Sequence, residues 1–452
     1  GSGGGGATAL VLARRVATGT TNGIRWRNSH GMIQSRDTEL LEAFSGMELT
    51  VLGTASASPS TFRNVSAYAL RTDLETFLFD CGEGTQLQLL HSRLRHGRIN
   101  RIFVTHMHGD HVYGLPALLC TLLSADRALS TAPEHGTRST HVEPVYCYGP
   151  PGLYDFVAAS LAYLDDDTLP SYARNARVKV VVHELVGGPD HVAGAHLLRN
   201  PNRRPQRSQH HYQQRGGGRD GRGHGSSVPH NSRVRRGRDI EPGEDGLWHV
   251  HHMDGRQLKS PIDVFAAPLT HAIPCFGYVV KEGDLRGRID AAAVKARGLP
   301  PGPQWKALEY GEDVPLPDGS VLRASEVLGP ARRGRKVVVM GDTCRSDRIL
   351  EAARGADLMT HECTFVDGEE RSAKRSGHST PRMVGEFAKR AEVKTLVLTH
   401  FTNRLFGMAR EASIYALRAK DELGDVRDGV GADGDGTADA HAGGGGGGGD
   451  GD

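Results

Sequence analysis

One six-residue stretch constrains this chain more than any other: His106-Met107-His108-Gly109-Asp110-His111. It follows Ile102 to Thr105, an apolar run of strand length, and precedes Leu115 to Leu123, whose apolar density is helix-like. Three imidazoles and a carboxylate crowded into a strand-to-helix turn make chemical sense when a metal ion collects their lone pairs. His106 and His108 can point the same way toward one ion, while Asp110 and His111, displaced around the turn, can reach a second. This pattern is far more specific than a single histidine, which is usually a core or capping residue.

Two ions need more ligands, and other strand ends supply them. His271 closes the run Val264 to Thr270, Asp342 follows Val337 to Gly341, His400 closes Leu396 to Thr399, and His361 follows Leu358 to Thr360. Further strand signatures lie at Met47 to Leu52, Thr76 to Asp80 and Val178 to Val182. Strands that end in polar residues at a common edge are how layered α/β folds build active sites. The six cysteines are scattered with no CxxC pair, which argues against a disulfide scaffold or a thiolate metal site and fits a reducing compartment.

With these residues assembled, the chain resembles the metallo-β-lactamase superfamily and, within it, the short ribonuclease Z family of tRNA 3′-processing endonucleases. The likeness runs from about Met47 to Arg418. It rests on Leu52-Gly53-Thr54 with Arg63-Asn64-Val65, on Phe79 to Gln86, on His106 to Pro116, and on His271 with Phe276-Gly277-Tyr278. Gly341-Asp342-Thr343, His361-Glu362, His378-Ser379-Thr380, Leu398-Thr399-His400 and Pro300-Pro301-Gly302-Pro303 complete it. The first motif alone names only the superfamily.

The resemblance implies an α/β fold, a four-layer αββα sandwich, with two Zn²⁺ per chain. One zinc would be held by His106, His108 and His271, the second by Asp110, His111 and His400, with Asp342 between them. It further implies hydroxide attack on a phosphodiester of precursor tRNA after the discriminator base, Asp110, His378 and Glu362 acting in catalysis with His378 as general acid, and His361 supporting a ligand from behind. Arg63, Asn64, Pro301, Gly302, Pro303 and Lys306 would meet RNA, and the protein would work as a homodimer. The family loop Pro-x-Lys-x-Arg-Asn reads here Pro59-Ser60-Thr61-Phe62-Arg63-Asn64, so rejection of CCA-bearing tRNA does not follow from the likeness. A zinc hydrolase of the same scaffold acting on a small ester or phosphodiester is the alternative, since a fold does not fix its substrate. An RNA-binding protein with a vestigial metal site is a third reading, disfavoured by the intact ligand set.

Composition divides the chain further. Residues 47–423 read as the catalytic domain, residues 1–46 as a disordered leader and residues 424–452 as a disordered acidic, Gly-rich tail. The first 36 residues carry five arginines and no acid, the composition of a chloroplast or mitochondrial transit peptide, with cytoplasm or nucleus as alternatives. Within the domain, 187–246 is a low-complexity Arg/Gly insertion, with eleven arginines against one acid between Arg199 and Arg238. Residues 284–335 hold the Pro-Gly run where the family resembled here carries a tRNA-gripping arm, the exosite. Trp248-His249-Val250-His251-His252 imitates a metal motif, but Asp254 comes one place too late for it, so the run reads as an exposed strand. Net charge is +2, giving no global pull toward nucleic acid, and no apolar stretch reaches membrane-spanning length.

Overall fold

The computed structural model describes residues 46–123, 144–162, 179–187, 233–254 and 260–403, together with three N-terminal strands. In chain order the strands are β1 (Thr8–Val11), β2 (Thr18–Thr21), β3 (Ile24–Asn28), β4 (Met47–Gly53), β5 (Ala67–Arg71) and β6 (Thr76–Phe79). There follow β7 (Ile99–Phe103), β8 (Val145–Gly149), β9 (Val180–Glu184), β10 (Val234–Arg236), β11 (Trp248–Met253) and β12 (Ile262–Leu269). The last six are β13 (Cys275–Glu282), β14 (Val314–Pro315), β15 (Val321–Leu322), β16 (Lys336–Val339), β17 (Leu358–Glu362) and β18 (Thr395–Thr399).

Two sheets stack face to face. A nine-stranded sheet runs β10-β9-β8-β7-β6-β5-β4-β3-β2, and a seven-stranded one runs β1-β18-β17-β16-β13-β12-β11. Alternating side chains of both, among them Leu49, Phe77, Phe79 and Phe103 from one and Trp248, Val264, Phe276, Tyr278 and Val339 from the other, form the buried middle layer. The outer face of the nine-stranded sheet is covered by the helices Leu115–Leu122 and Leu153–Ser160 through Leu118, Leu119, Leu122, Leu153 and Val157. Helix Pro381–Arg390 covers the other outer face with Val384, Phe387 and Ala388. The αββα order expected from the sequence is therefore the one that forms.

Two stretches differ from their expected character. Strands β1, β2 and β3 fall inside 1–46, where β1 pairs with β18 in parallel and β3 with β4, so short β-prone runs in this leader extend the sheet edges. The end of the 187–246 insertion likewise joins the fold: β10 pairs with β9, and Ile240 bridges Leu185. Arginines 199 to 222 and the 424–452 tail lie outside the described residues.

The 284–335 segment leaves after β13 and returns at β16, two strands that are antiparallel neighbours. It carries its own apolar cluster of Val294, Leu299, Leu308, Val314, Leu316, Leu322 and Val327. Its root is closed by Glu282 N–H donating to the Arg335 carbonyl at 2.8 Å and by the Arg335 guanidinium gripping the Glu282 carboxylate at 2.6 Å through both oxygens. Among the described residues, no helix is long and apolar enough to cross a membrane.

Phe103 ties the middle layer together, stacking on Phe79 and Tyr148 at 5.1 Å and meeting Tyr278 of the opposite sheet at 5.4 Å. Phe103→Ala should cost about 3–5 kcal/mol, read as a lowered midpoint in urea unfolding.

Candidate metal centre

Strand direction decides what meets at the edge of the sandwich. β12 and β16 are both antiparallel to β13, so they run the same way, and β16, β17 and β18 are mutually parallel. Their C-terminal ends deliver His271, Asp342, Glu362 and His400 to one edge. In the facing sheet β6 and β7 are parallel and end at Asp80 and at the His106 turn. The sheets are pinned there, because Phe276 N–H donates to the Thr105 carbonyl at 2.9 Å and the Tyr278 hydroxyl to the Val104 carbonyl at 2.7 Å. Gly341 makes this approach possible: a Cβ on it would lie 2.8 Å from the Thr105 Cβ of the facing sheet.

The seven residues singled out in the sequence converge as two donor sets. In the first, His108 Nδ1 is 3.1 Å from His106 Nε2 and 3.2 Å from His271 Nε2, and Asp342 Oδ2 stands 3.6 and 4.0 Å from the latter two. In the second, His400 Nε2 is 3.3 Å from His111 Nε2 and 3.2 Å from Asp110 Oδ2. Asp342 Oδ2 is again close, 3.3 Å from His400 Nε2 and 3.6 Å from His111 Nε2. Ligand atoms about 2.0–2.1 Å from a tetrahedral zinc stand about 3.3 Å from one another, so the nitrogen and carboxylate donors have the spacing and chemistry of a zinc site.

Comparison with known proteins agrees. Residues 47–127 match the family described as Anti-Pycsar protein Apyc1, and residues 315–401 the one described as beta-lactamase superfamily domain. The chain is 36% identical over 375 residues to zinc phosphodiesterase ELAC protein 1 of Bos taurus, covering 81% of this chain and 89% of that one. It is 34% identical over 360 residues to ribonuclease Z of Microcystis aeruginosa, covering 79% and 86%. The crystal structure of human tRNase Z, short form, is similar with 30% identity and a TM-score of 0.48, over 79% of this chain and 93% of that chain.

This chain belongs to the ribonuclease Z family.

What holds four of these candidate ligands in their poses is a set of hydrogen bonds that fixes their imidazole tautomers. His111 Nδ1–H donates to Asp80 Oδ2 at 2.7 Å, and His271 Nδ1–H to the Gly377 carbonyl at 2.8 Å. The Thr105 hydroxyl donates to Asp80 at 2.9 Å and so accepts from His106 Nδ1 at 3.0 Å. The Thr364 hydroxyl donates to Glu362 at 2.7 Å and accepts from His400 Nδ1 at 2.9 Å. Four lone pairs, all on Nε2, are thereby left facing the centre. Sequence reading named Asp80 within a motif without giving it this task, and it passed over Thr105 and Thr364. A backbone sign exists at Asp80 and His400, which adopt left-handed φ of 56° and 57°, a strain of about 1–3 kcal/mol typical of functional positions.

The electrostatics split the imidazoles between neutral and protonated ones beside ionised carboxylates. Burial pushes His106 well below the ordinary histidine range and His271 to about 4. Burial alone would raise Asp342, but His400, His111 and His106 hold it well below the usual carboxylate value. His111 goes the other way: burial lowers it, yet Asp342 and Asp80 lift it well above normal. His378 is only partly exposed, and the lowering by desolvation is outweighed by Glu362, 3.6 Å from its Nδ1, and by Asp342, which bring it to about 9.

The remaining expected site residues divide. His378 joins His108, Asp110, Asp342 and His400 around a cavity of about 440 Å³. His361 faces away: side chains alternate along β17, so while Glu362 meets His378, His361 packs on Phe387 and bonds the Glu362 carbonyl at 2.7 Å. The ligand-orienting contacts expected of it come from Asp80, Thr105, Thr364 and Gly377 instead. Arg63 lies over the Phe401 ring and donates to Thr54 at 2.7 Å, and Asn64 donates to the Gly84 carbonyl at 3.3 Å, so both shape the loop beside the cavity. Pro301, Gly302, Pro303 and Lys306 are exposed on the 284–335 segment, outside the cavity. Asp80→Asn, which disturbs the His111 tautomer, should weaken zinc affinity about 10–100-fold in competition with a chromophoric chelator while leaving the circular dichroism spectrum unchanged.

Proposed function

We propose that this chain is a zinc-dependent endoribonuclease that removes the 3′ trailer of precursor tRNA, cutting the phosphodiester after the discriminator base and leaving a tRNA 3′-hydroxyl. The observation that carries the reading is Asp342 Oδ2, common to both donor sets and 3.3 to 4.0 Å from His106, His111, His271 and His400. This supports a two-ion centre, with His106, His108 and His271 holding one zinc, Asp110, His111 and His400 the other, and Asp342 between. Bound there, the pair would lower the pKa of a shared water and offset charge growing on the phosphate oxygens.

The chain's own groups account for the rest. His378 keeps a proton at neutral pH, and with Nδ1 turned toward Glu362 it has the proton on Nε2 to give to the departing ribose oxygen. Glu362, buried with Oε1 otherwise unpartnered, steadies that charge and orients the ring. Tyr113, 67% exposed at the rim of the cavity, offers a face on which a base can stack.

Residues 284–335 serve in this reading as the RNA-gripping arm, with Pro301, Gly302, Pro303 and Lys306 toward the phosphate backbone and Arg63 and Asn64 acting through the loop they shape. The arm springs from the C-terminal end of β13 and the N-terminal end of β16, the sheet edge opposite the ligands. That placement supports a homodimer in which one copy's arm presents tRNA to the other copy's zinc. The basic, acid-free residues 1 to 36 support an organelle as the place of work, and 47–423 is the unit that does it.

Incubation of the zinc-loaded chain with an unprocessed tRNA transcript should give one cut after the discriminator base, lost with Asp342→Ala and with chelation, and regained on adding zinc. Hydrolysis of a small phosphodiester without any cut in the transcript would replace the endonuclease by a small-ester hydrolase. Replacing 284–335 by a short Gly-Ser turn should lower kcat/KM for precursor tRNA at least about tenfold while sparing bis(p-nitrophenyl) phosphate; equal loss on both substrates would make the segment mere scaffolding.

A further inference from the structure

The run Trp248-His249-Val250-His251-His252 lacks a carboxylate at the right place in sequence, but the fold supplies one from the next strand. β11 is the edge strand of the seven-stranded sheet and pairs with β12 through a bulge: His249 stands opposite Phe265, His251 opposite Val264 and His252 opposite Asp263. Val250 is the extra residue. In an unbroken strand, residues three apart point to opposite faces. The bulge cancels one step of that alternation, so Trp248, Val250 and His251 turn toward the inner layer while His249 and His252 both emerge on the outer face. Asp263 lies between them, its Oδ1 2.9 Å from His249 Nε2 and 2.7 Å from His252 Nδ1.

We propose that His249, His252 and Asp263 form a second, surface site for a first-row transition-metal ion, distinct from the centre at the other end of the strand. Two imidazole nitrogens and one carboxylate oxygen, all within 4.8 Å of one another, are a donor set that suits Zn²⁺, Ni²⁺ or Cu²⁺ rather than Mg²⁺ or Ca²⁺. The His249 ring is seated rather than free, stacked on Phe265 with centroids 4.9 Å apart and planes 20° from parallel. Both histidines are about half exposed, which leaves the remaining coordination positions to water. Glu241, Glu244 and Asp245 line the same cavity as His249 and add negative charge at its approach. Asp263 is the second residue of β12 and His271 follows its end, so the two sites are about 25 Å apart along the strand.

A metal there would clip an edge strand to its neighbour across the bulge. The edge would be held in a twisted, ligand-bearing form rather than left as a flat template for pairing with another chain.

The test is a difference in metal content, independent of how many ions the central site takes. Untagged full-length chain and the His249→Ala/His252→Ala double variant are dialysed to equilibrium against the same micromolar zinc and analysed by mass spectrometry of the metal. The wild type should retain about one ion more per chain than the variant, with equal cleavage of precursor tRNA. Copper added to zinc-loaded wild type should give an electron paramagnetic resonance spectrum with nitrogen hyperfine splitting that is absent from the variant. Equal metal content in the two chains and identical copper spectra would overturn the site.

Discussion

A single buried carboxylate organises this molecule. Asp342 is 2% exposed and ionised, and a charge taken that far from water costs several kcal/mol unless partners compensate it. The groups packed around it come from both sheets: His106 and His111 from the nine-stranded one, His271 and His400 from the other, with His111, lifted well above the ordinary histidine range, carrying positive charge. The sandwich therefore has to close in one register for the charge to be tolerated, and closing it assembles the ligand cluster. The packing of the two sheets and the donor cluster draw here on the same contacts.

The supporting bonds extend that argument outward. Asp80 holds Thr105 and His111, Thr364 links Glu362 to His400, and the carbonyl of Gly377 fixes His271. Each imidazole offers Nε2 because its Nδ1 is already engaged, with His108, which presents Nδ1, as the exception. Two of the positions involved, Asp80 and His400, sit in left-handed backbone conformations. Such strain persists only where neighbouring packing over-determines it, which the fully buried residues on both sides of these strand ends provide.

Much of this was legible in the sequence because zinc ligands must be His, Asp, Glu or Cys and because strand ends are easy to find. The HMHGDH turn, His271, Asp342 and His400 could be named one by one, and the αββα order followed from the resemblance they carry. Contacts made by hydroxyls and main-chain carbonyls were not legible, since Thr105, Thr364 and Gly377 look like any other polar or small residue until the tertiary fold supplies a partner. His361 was misjudged for a related reason. Its neighbour Glu362 belongs to the pocket, and a period of two sends adjacent side chains to opposite faces. The strands within 1–46 were hidden by a composition that reads as a leader, because edge pairing uses backbone groups and asks little of side chains. The His249 and His252 pair was hidden by parity, which only a one-residue bulge reverses.

The two-strand root of the 284–335 segment has an evolutionary consequence. A unit that folds around its own apolar cluster and enters the sheet through neighbouring strand ends can be lengthened, recharged or exchanged with little stress on the ligand distances at the far edge. Selection can thus reshape this segment while the donor geometry at the far edge stays fixed, and the two are free to diverge at different rates.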